Sequence, residues 1–287
     1  MNRSEANQLS YLALSAGLSE FKNQFGCTFE KLTFLKWGSQ RNNDRKTCSM
    51  IYIIEGDGSI SHSNGISEVV GPGDVIQQLP GKSGSLNFTS NCSEQVVLTL
   101  PEIFYNLYSR KTVNGSDSTV FHIGLHADLV VKFKKLQRDI KEWATPKIFK
   151  IIEKSIKLIG EIQAIRLIVN ADHQSDPFWI TVRKDLCRDL KSRFSLPDFA
   201  EKFSMSYSSF RQGFTKHVGM PPGVFHIKQR IEQVKMLLAG TQLSLKDIAK
   251  RFNYPDLPSF TKQFKKITGL TPGNYIKHHD ENLFPEM

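Results

Sequence analysis

Cysteine is scarce in this 287-residue chain, and Cys27, Cys48, Cys92 and Cys187 lie 21, 44 and 95 residues apart. Those intervals fit neither a zinc spacing nor a compact disulfide framework, so reduced thiols are expected. Long apolar runs are lacking too: none approaches the roughly 20 residues a membrane helix needs. Met1 to Asn7 shows no charged-then-apolar leader pattern, and no low-complexity tract interrupts the chain. The expectation is a soluble, cytoplasmic protein. Histidine is thin where chemistry would need it: between Ser49 and Leu100 only His62 occurs, with His122 and His126 farther on. A metal ion requires several ligands converging on it, so neither a metal nor any other cofactor is expected. Gly81-Lys82-Ser83 resembles the end of a phosphate loop, but Ile76 stands where that loop requires its earlier glycine.

What the chain does have is positive charge, unevenly placed. Residues 1–125 carry 10 Lys and Arg against 11 Asp and Glu; residues 126–177 carry 10 against 7; residues 178–287 carry 18 against 10. The excess therefore sits mainly in the last third, where it suits a polyanionic partner.

Periodicity divides the chain in the same way. Leu32–Trp37, Met50–Glu55, Ser59–Ser63, Ile66–Val70, Val75–Leu79, Val96–Leu100 and Val120–Leu125 read as short strands. Gly56-Asp57-Gly58, Asn64-Gly65 and Gly71-Pro72-Gly73-Asp74 punctuate them as turns. Short strands with frequent turns predict a barrel or jelly roll over residues 1–125. From His126 the apolar period becomes helical: Leu129, Phe133, Leu136 and Ile140 mark one helix, and Ile151 to Leu167 a second opened by Pro146. Residues 126–177 thus form a helical linker, with abundant apolar surface that predicts a homodimer.

The last third, residues 178–287, is duplicated. Leu196, Asp198, Ala200 and Phe203 recur 49 residues later as Leu245, Asp247, Ala249 and Phe252. Ser209-Phe210, Phe214, Gly219, Pro222 and Phe225 recur 50 residues later as Ser259-Phe260, Phe264, Gly269, Pro272 and Tyr275. The change of offset falls in a turn, where insertions are tolerated. Each copy has the grammar of a helix-turn-helix: a short helix with a small residue at the crossing, a turn, an N-cap (Ser206 or Asp256), and a second helix closed by glycine. That second helix buries one pair of phenylalanines four residues apart and leaves a polar face free for a major groove. Ser206, Lys216, Lys265 and Lys266 are placed to meet phosphates, which position without specifying sequence. Between the copies a helix from Pro221-Pro222 to Gly240, at about 1.5 Å per residue, is about 27 Å long. Two recognition helices in successive major grooves sit about 34 Å apart, near the separation a rod of this length would hold. Double-stranded DNA is the expected partner.

At these residues the chain resembles the AraC-type (AraC/XylS) transcriptional regulators. The resemblance covers about Phe178 to His279 and is most specific at Ile248-Ala249, Phe260, Phe264-Lys265-Lys266, Gly269 and Thr271-Pro272. It implies base reading by Ser208, Arg211 and Gln212 in the first unit and by Leu257, Pro258, Thr261 and Lys262 in the second. Two departures matter. Asn253 replaces the usual turn glycine, and Leu257-Pro258 replace polar residues, so the second unit carries less sequence information. A looser similarity, at Tyr52–Gly58 and Pro72-Gly73-Asp74-Val75, is to the family's cupin-like effector domain. It implies an activator controlled by a small molecule, a sugar being the candidate, with Trp37, Tyr52, His62 and Gln77 as effector-binding residues, and contact with RNA polymerase. The expected architecture is two-domain α+β: cupin-like barrel or jelly roll, helical linker, all-α tandem helix-turn-helix. A cupin metal-dependent enzyme fused to a DNA-binding module is the alternative reading.

Overall fold

The computed structural model describes residues 26–30, 34–37, 47–62, 65, 67–78, 84–89, 93–101, 120–142, 148–171, 176–188, 190–191 and 195–283. Within them, β1 (Gly26–Glu30), β8 (Glu94–Pro101), β3 (Thr47–Glu55), β6 (Asp74–Gln78) and β9 (Val120–His122) form an antiparallel five-stranded sheet in that order. A second sheet has the order β2 (Phe34–Trp37), β7 (Gly84–Phe88), β4 (Gly58–His62) and β5 (Ser67–Val70).

The expected cupin-like barrel or jelly roll does not form: the described strands make two open sheets, and neither closes on itself. The cupin half of the family resemblance falls with it. Burial supplies the reason. Strand β3 (TCSMIYIIE) is buried along almost its whole length, because both faces of its sheet are covered. Ile51, Ile53, Ile76 and Val120 meet Ile60, Val70, Leu86 and Phe88 of the other sheet. Met50, Tyr52, Ile54, Val75 and Leu98 lie with the helices instead. A sheet sandwiched in this way buries its apolar residues without closure. Strands β1 and β7 were absent from the sequence reading, which otherwise placed each strand to within a few residues.

Helices α1 (Ala127–Lys141) and α2 (Ile148–Ala171) cover the outer face of the five-stranded sheet. Helix α1 buries Leu129, Phe133 and Leu136 of the stripe seen in the sequence, with Ile140 half-buried against the same core. The joint between strand and helix is held by Tyr52, whose hydroxyl donates to the carbonyl of Gly124 (2.8 Å) and accepts from the His126 N–H (2.9 Å).

Seven further helices are described: α3 (Pro177–Leu186), α4 (Leu196–Glu201), α5 (Tyr207–Val218), α6 (Pro222–Gly240), α7 (Leu245–Arg251), α8 (Leu257–Thr268) and α9 (Pro272–Leu283). They do not share one core. Trp179, Val182, Leu186, Phe199, Phe210, Phe214 and Phe225 form a separate cluster around α3, α4 and α5. Ile231, Val234, Leu237, Ile248, Phe252, Phe260, Phe264 and Tyr275 are continuous with the sheet and with α1 and α2. Polar contacts fix α6 in this second body. Gln233 donates to the carbonyl of Ile54 (2.8 Å), Glu232 accepts from the Ala127 N–H (2.7 Å), and Lys134 donates to the carbonyl of Ala239 (2.6 Å).

Candidate nucleic-acid interface

Each repeat folds by the same local chemistry. In the first, Ser195 caps α4 by accepting from the Asp198 N–H, and Ser206 caps α5 by accepting from the Ser209 N–H at 3.2 Å. In the second, Ser244 caps α7 through the Asp247 N–H (3.1 Å), and Asp256 caps α8 through the Ser259 N–H (2.6 Å). The Ser259 side chain and backbone N–H also hold the Asp256 carboxyl below its ordinary pKa. The turns match in backbone conformation: Ser204 and Asn253 take φ of 55° and 52°. Asparagine tolerates this left-handed region well, which explains how Asn253 stands in for the glycine of the family pattern. Gly219 and Gly269 end α5 and α8 with φ of 78° and 80°.

These constraints bury one face of α5 and of α8 and point the other outward. Phe210 and Phe214, and Phe260 and Phe264, are fully buried. Ser208, Arg211 and Gln212 on α5 are exposed, as are Leu257, Pro258 and Lys262 on α8, with Thr261 half-buried beside them. The phosphate candidates Ser206, Lys216, Lys265 and Lys266 are exposed at or near the ends of the same helices. Lys246 and Lys250 line an open groove with Asn253, Tyr254, Asp256 and Leu257 beside the start of α8.

Two positioning features escaped the sequence reading. Helix α3 begins with Asp176, whose side chain accepts from the Phe178 N–H (3.0 Å), and with Pro177 in its first turn. The linker expected over residues 126–177 ends on that same cap-then-proline signal, which instead opens a helix. Trp179 of α3 lies against the middle of α5, stacked on His217 with ring centroids 5.5 Å apart and edge-on to Phe214 at 6.3 Å. Only glycine fits opposite it: a Cβ on Gly213 would stand 2.2 Å from the Trp179 ring. In the second unit Arg230 of α6 donates to the carbonyl of Phe252 and lies over the Tyr254 ring at 4.7 Å, bracing the turn.

Residues 199–278 match the family model described as a helix-turn-helix domain. The uncharacterized HTH-type transcriptional regulator YtdP of Bacillus subtilis is 30% identical over 87 residues, 30% of this chain and 11% of that protein. The HTH-type transcriptional activator AarP of Providencia stuartii is 33% identical over 87 residues, 30% of this chain and 64% of that protein. The chain thus spans less than two thirds of the length of either. Among solved structures, the C-terminal domain of the two-component response regulator yesN from Fusobacterium nucleatum is 26% identical, with 35% of this chain and 99% of that one covered at a TM-score of 0.34.

Of the effector candidates, His62 lies on a different sheet from Tyr52 and Gln77. Tyr52 is occupied at the strand–helix joint, and Gln77, cross-strand partner of Met50, lies on the same sheet face. His62 is on the other sheet, its Nε2 3.3 Å from Glu68. Trp37 ends β2, but its side chain lies outside the described residues. The remaining histidines of interest serve local structure: His126 bonds the carbonyl of Ile123 (2.7 Å), and His122 bonds Asp74 (2.9 Å). Asp74 is fully buried, which opposes its ionisation. His122, Lys184 and the Gly71 N–H outweigh that effect and hold its carboxyl below the ordinary range. Buried Cys27 and Cys187 have thiols pushed up to about 12 by loss of solvent, the opposite of a reactive nucleophile. Among the described residues no group of three or more His, Cys, Asp and Glu could hold a metal ion, and no helix is long and apolar enough to cross a membrane.

Proposed function

We propose that this protein is a non-catalytic, sequence-specific DNA-binding regulator of transcription that reads two successive major grooves with α5 and α8. The observation that carries the reading is the duplication itself: two capped helices at equal places in a repeat, each exposing polar or cationic residues while burying a phenylalanine pair. An all-α bundle needs the phenylalanines but has no use for two matching exposed faces. The activator role draws on the relative from Providencia stuartii, which is named an activator. A small-molecule effector and contact with RNA polymerase enter through the family resemblance, without the barrel that was to hold the effector.

Arg211 gives the most specific test. Its planar guanidinium can donate two hydrogen bonds to guanine O6 and N7, a pairing the major groove offers. Lys216, near the far end of α5, meets phosphate instead. In a selection from randomised duplexes, Arg211→Ala should cost about 1–3 kcal/mol and relax preference at one base pair, whereas Lys216→Ala weakens all duplexes alike. An unchanged motif with uniformly lower affinity for Arg211→Ala would place the reading face elsewhere.

The protein acts as a homodimer through α2. Phe149, Leu167 and Ile168 are 79%, 61% and 67% exposed on this 24-residue helix. Phe149, Ile152, Ile156, Gly160, Ala164 and Leu167 follow at intervals of three or four residues, so they share one face. Nothing lies within 4 Å of a Cβ built on Gly160, which leaves room for a second helix to approach. The occupant proposed is the same face of a second copy, as twofold symmetry would place it. Sedimentation of the full chain at tens of micromolar should give a dimer, and Phe149→Glu with Leu167→Glu a folded monomer. A wild-type monomer under those conditions removes this part of the proposal.

A further inference from the structure

The two readers are joined by more than the helix between them. Glu55, the last residue of β3, is only 1% exposed. Its carboxylate accepts a hydrogen bond of 2.8 Å from Nε of Arg251, is also paired with a terminal nitrogen of that guanidinium, and forms an ion pair with Lys191. Arg251 is the last residue of α7, in the second reader. Lys191 stands between α3 and α4, on the segment entering the first. The side-chain amide of Asn253, in the turn of the second reader, then donates to the backbone carbonyl of Lys191 at 3.1 Å. One carboxylate of the sheet body is thus held by a cation from each side, and the two cation-bearing segments are bonded to each other.

Such an arrangement is interdependent. Removing one member of a buried ion pair leaves an uncompensated charge, so each contact constrains the other two. The first reader has its own core, whereas the second shares one with the sheet. Their relative placement therefore depends on α6, on this bridge and on Lys184 of α3, which pairs with buried Asp74 of β6 at 3.1 Å. Asn253 adds a second, independent sign. At φ 52° glycine would be the least strained residue, but glycine has no side chain with which to bond Lys191.

We propose that Glu55 and Asn253 are positioning residues for DNA reading: they fix α5 relative to α8 and so set the half-site spacing that the protein accepts. Prepaid ordering of this kind strengthens two-site binding without touching a base. The inference rests on the reading that both helices enter DNA.

The test uses full-length protein and duplexes selected from a random library by the wild type. Affinity is compared for the selected duplex, for one with two base pairs inserted between half-sites, and for one with the second half-site scrambled. Glu55→Gln and Asn253→Gly should each bind the selected duplex about tenfold more weakly, a usual size for coupling between sites. Their discrimination against the inserted spacing should shrink, and their affinity for the scrambled duplex should stay within about twofold of wild type. Asn253→Gly keeps the turn free of strain, so its result does not depend on how well Glu55→Gln folds. Unchanged spacing preference in both variants overturns the proposal. So does tighter binding of the selected duplex, which would make the bridge a brake, or equal weakening on all three duplexes, which marks a merely structural role. If the wild type selects no duplex at all, the DNA reading itself fails and takes the bridge with it.

Discussion

Trp179→Ala is expected to lower stability by about 3–5 kcal/mol, the usual cost of truncating a buried large aromatic. The indole is 7% exposed and touches the rings of Phe210, Phe214 and His217 on the reading helix of the first unit. Its loss opens a cavity beneath that helix, in a core the rest of the molecule does not share. The effect should therefore concentrate in the first reader, seen in urea or thermal unfolding as an early transition accompanied by loss of DNA affinity. Gly213→Ala attacks the same contact from the other side. A methyl group 2.2 Å from the indole forces helix and ring apart, and overpacking of this kind costs about 1–3 kcal/mol or more. Combining Gly213→Ala with Trp179→Leu should cost less than the sum of the two single changes, because the smaller side chain makes room for the methyl. A Gly213→Ala protein as stable as wild type would mean that α3 does not pack so closely on α5.

Much of the helical third was legible from sequence because its determinants are local. Ser206, Asp256, Gly219 and Gly269 do in the structure what their spacing announced, since caps and left-handed terminators act within a turn of the helix they bound. The paired phenylalanines likewise need only helical periodicity. The strand-rich part was legible as strands and not as architecture. Pairing β1 with β8 or β3 with β6 joins residues far apart in sequence, and no local pattern says whether a sheet closes or is covered. The long buried run of β3 was the available sign of a sheet covered on both faces. The bridge at Glu55 was out of reach for the same reason: it spans 196 residues to Arg251. Helix α3 could have been found, because Asp176-Pro177 is a start signal, but Asp-Pro also begins turns and the flanking residues favoured that reading.

The largest effect expected of this protein is the salt dependence of its DNA binding. Lys216, Lys265 and Lys266 are exposed on α5 and α8. In the proposed dimer they would supply about six phosphate contacts, whose counterion release should lower affinity about a thousandfold between 50 and 200 mM salt. Sequence reading by Arg211 and its neighbours should add a preference that survives competitor DNA, since base contacts do not depend on the phosphates shared by all duplexes. The full chain is the material to use, because α6 packs on the sheet body and a tail fragment would bare that surface. Fluorescence anisotropy with the full-length protein and a library-selected duplex, titrated from 50 to 200 mM salt in the presence and absence of random-sequence competitor, tests DNA reading by the paired helices directly. The expected result is steep loss of affinity with salt together with retention of the selected duplex against competitor. A folded protein that enriches no sequence, or whose affinity does not respond to salt, would contradict it.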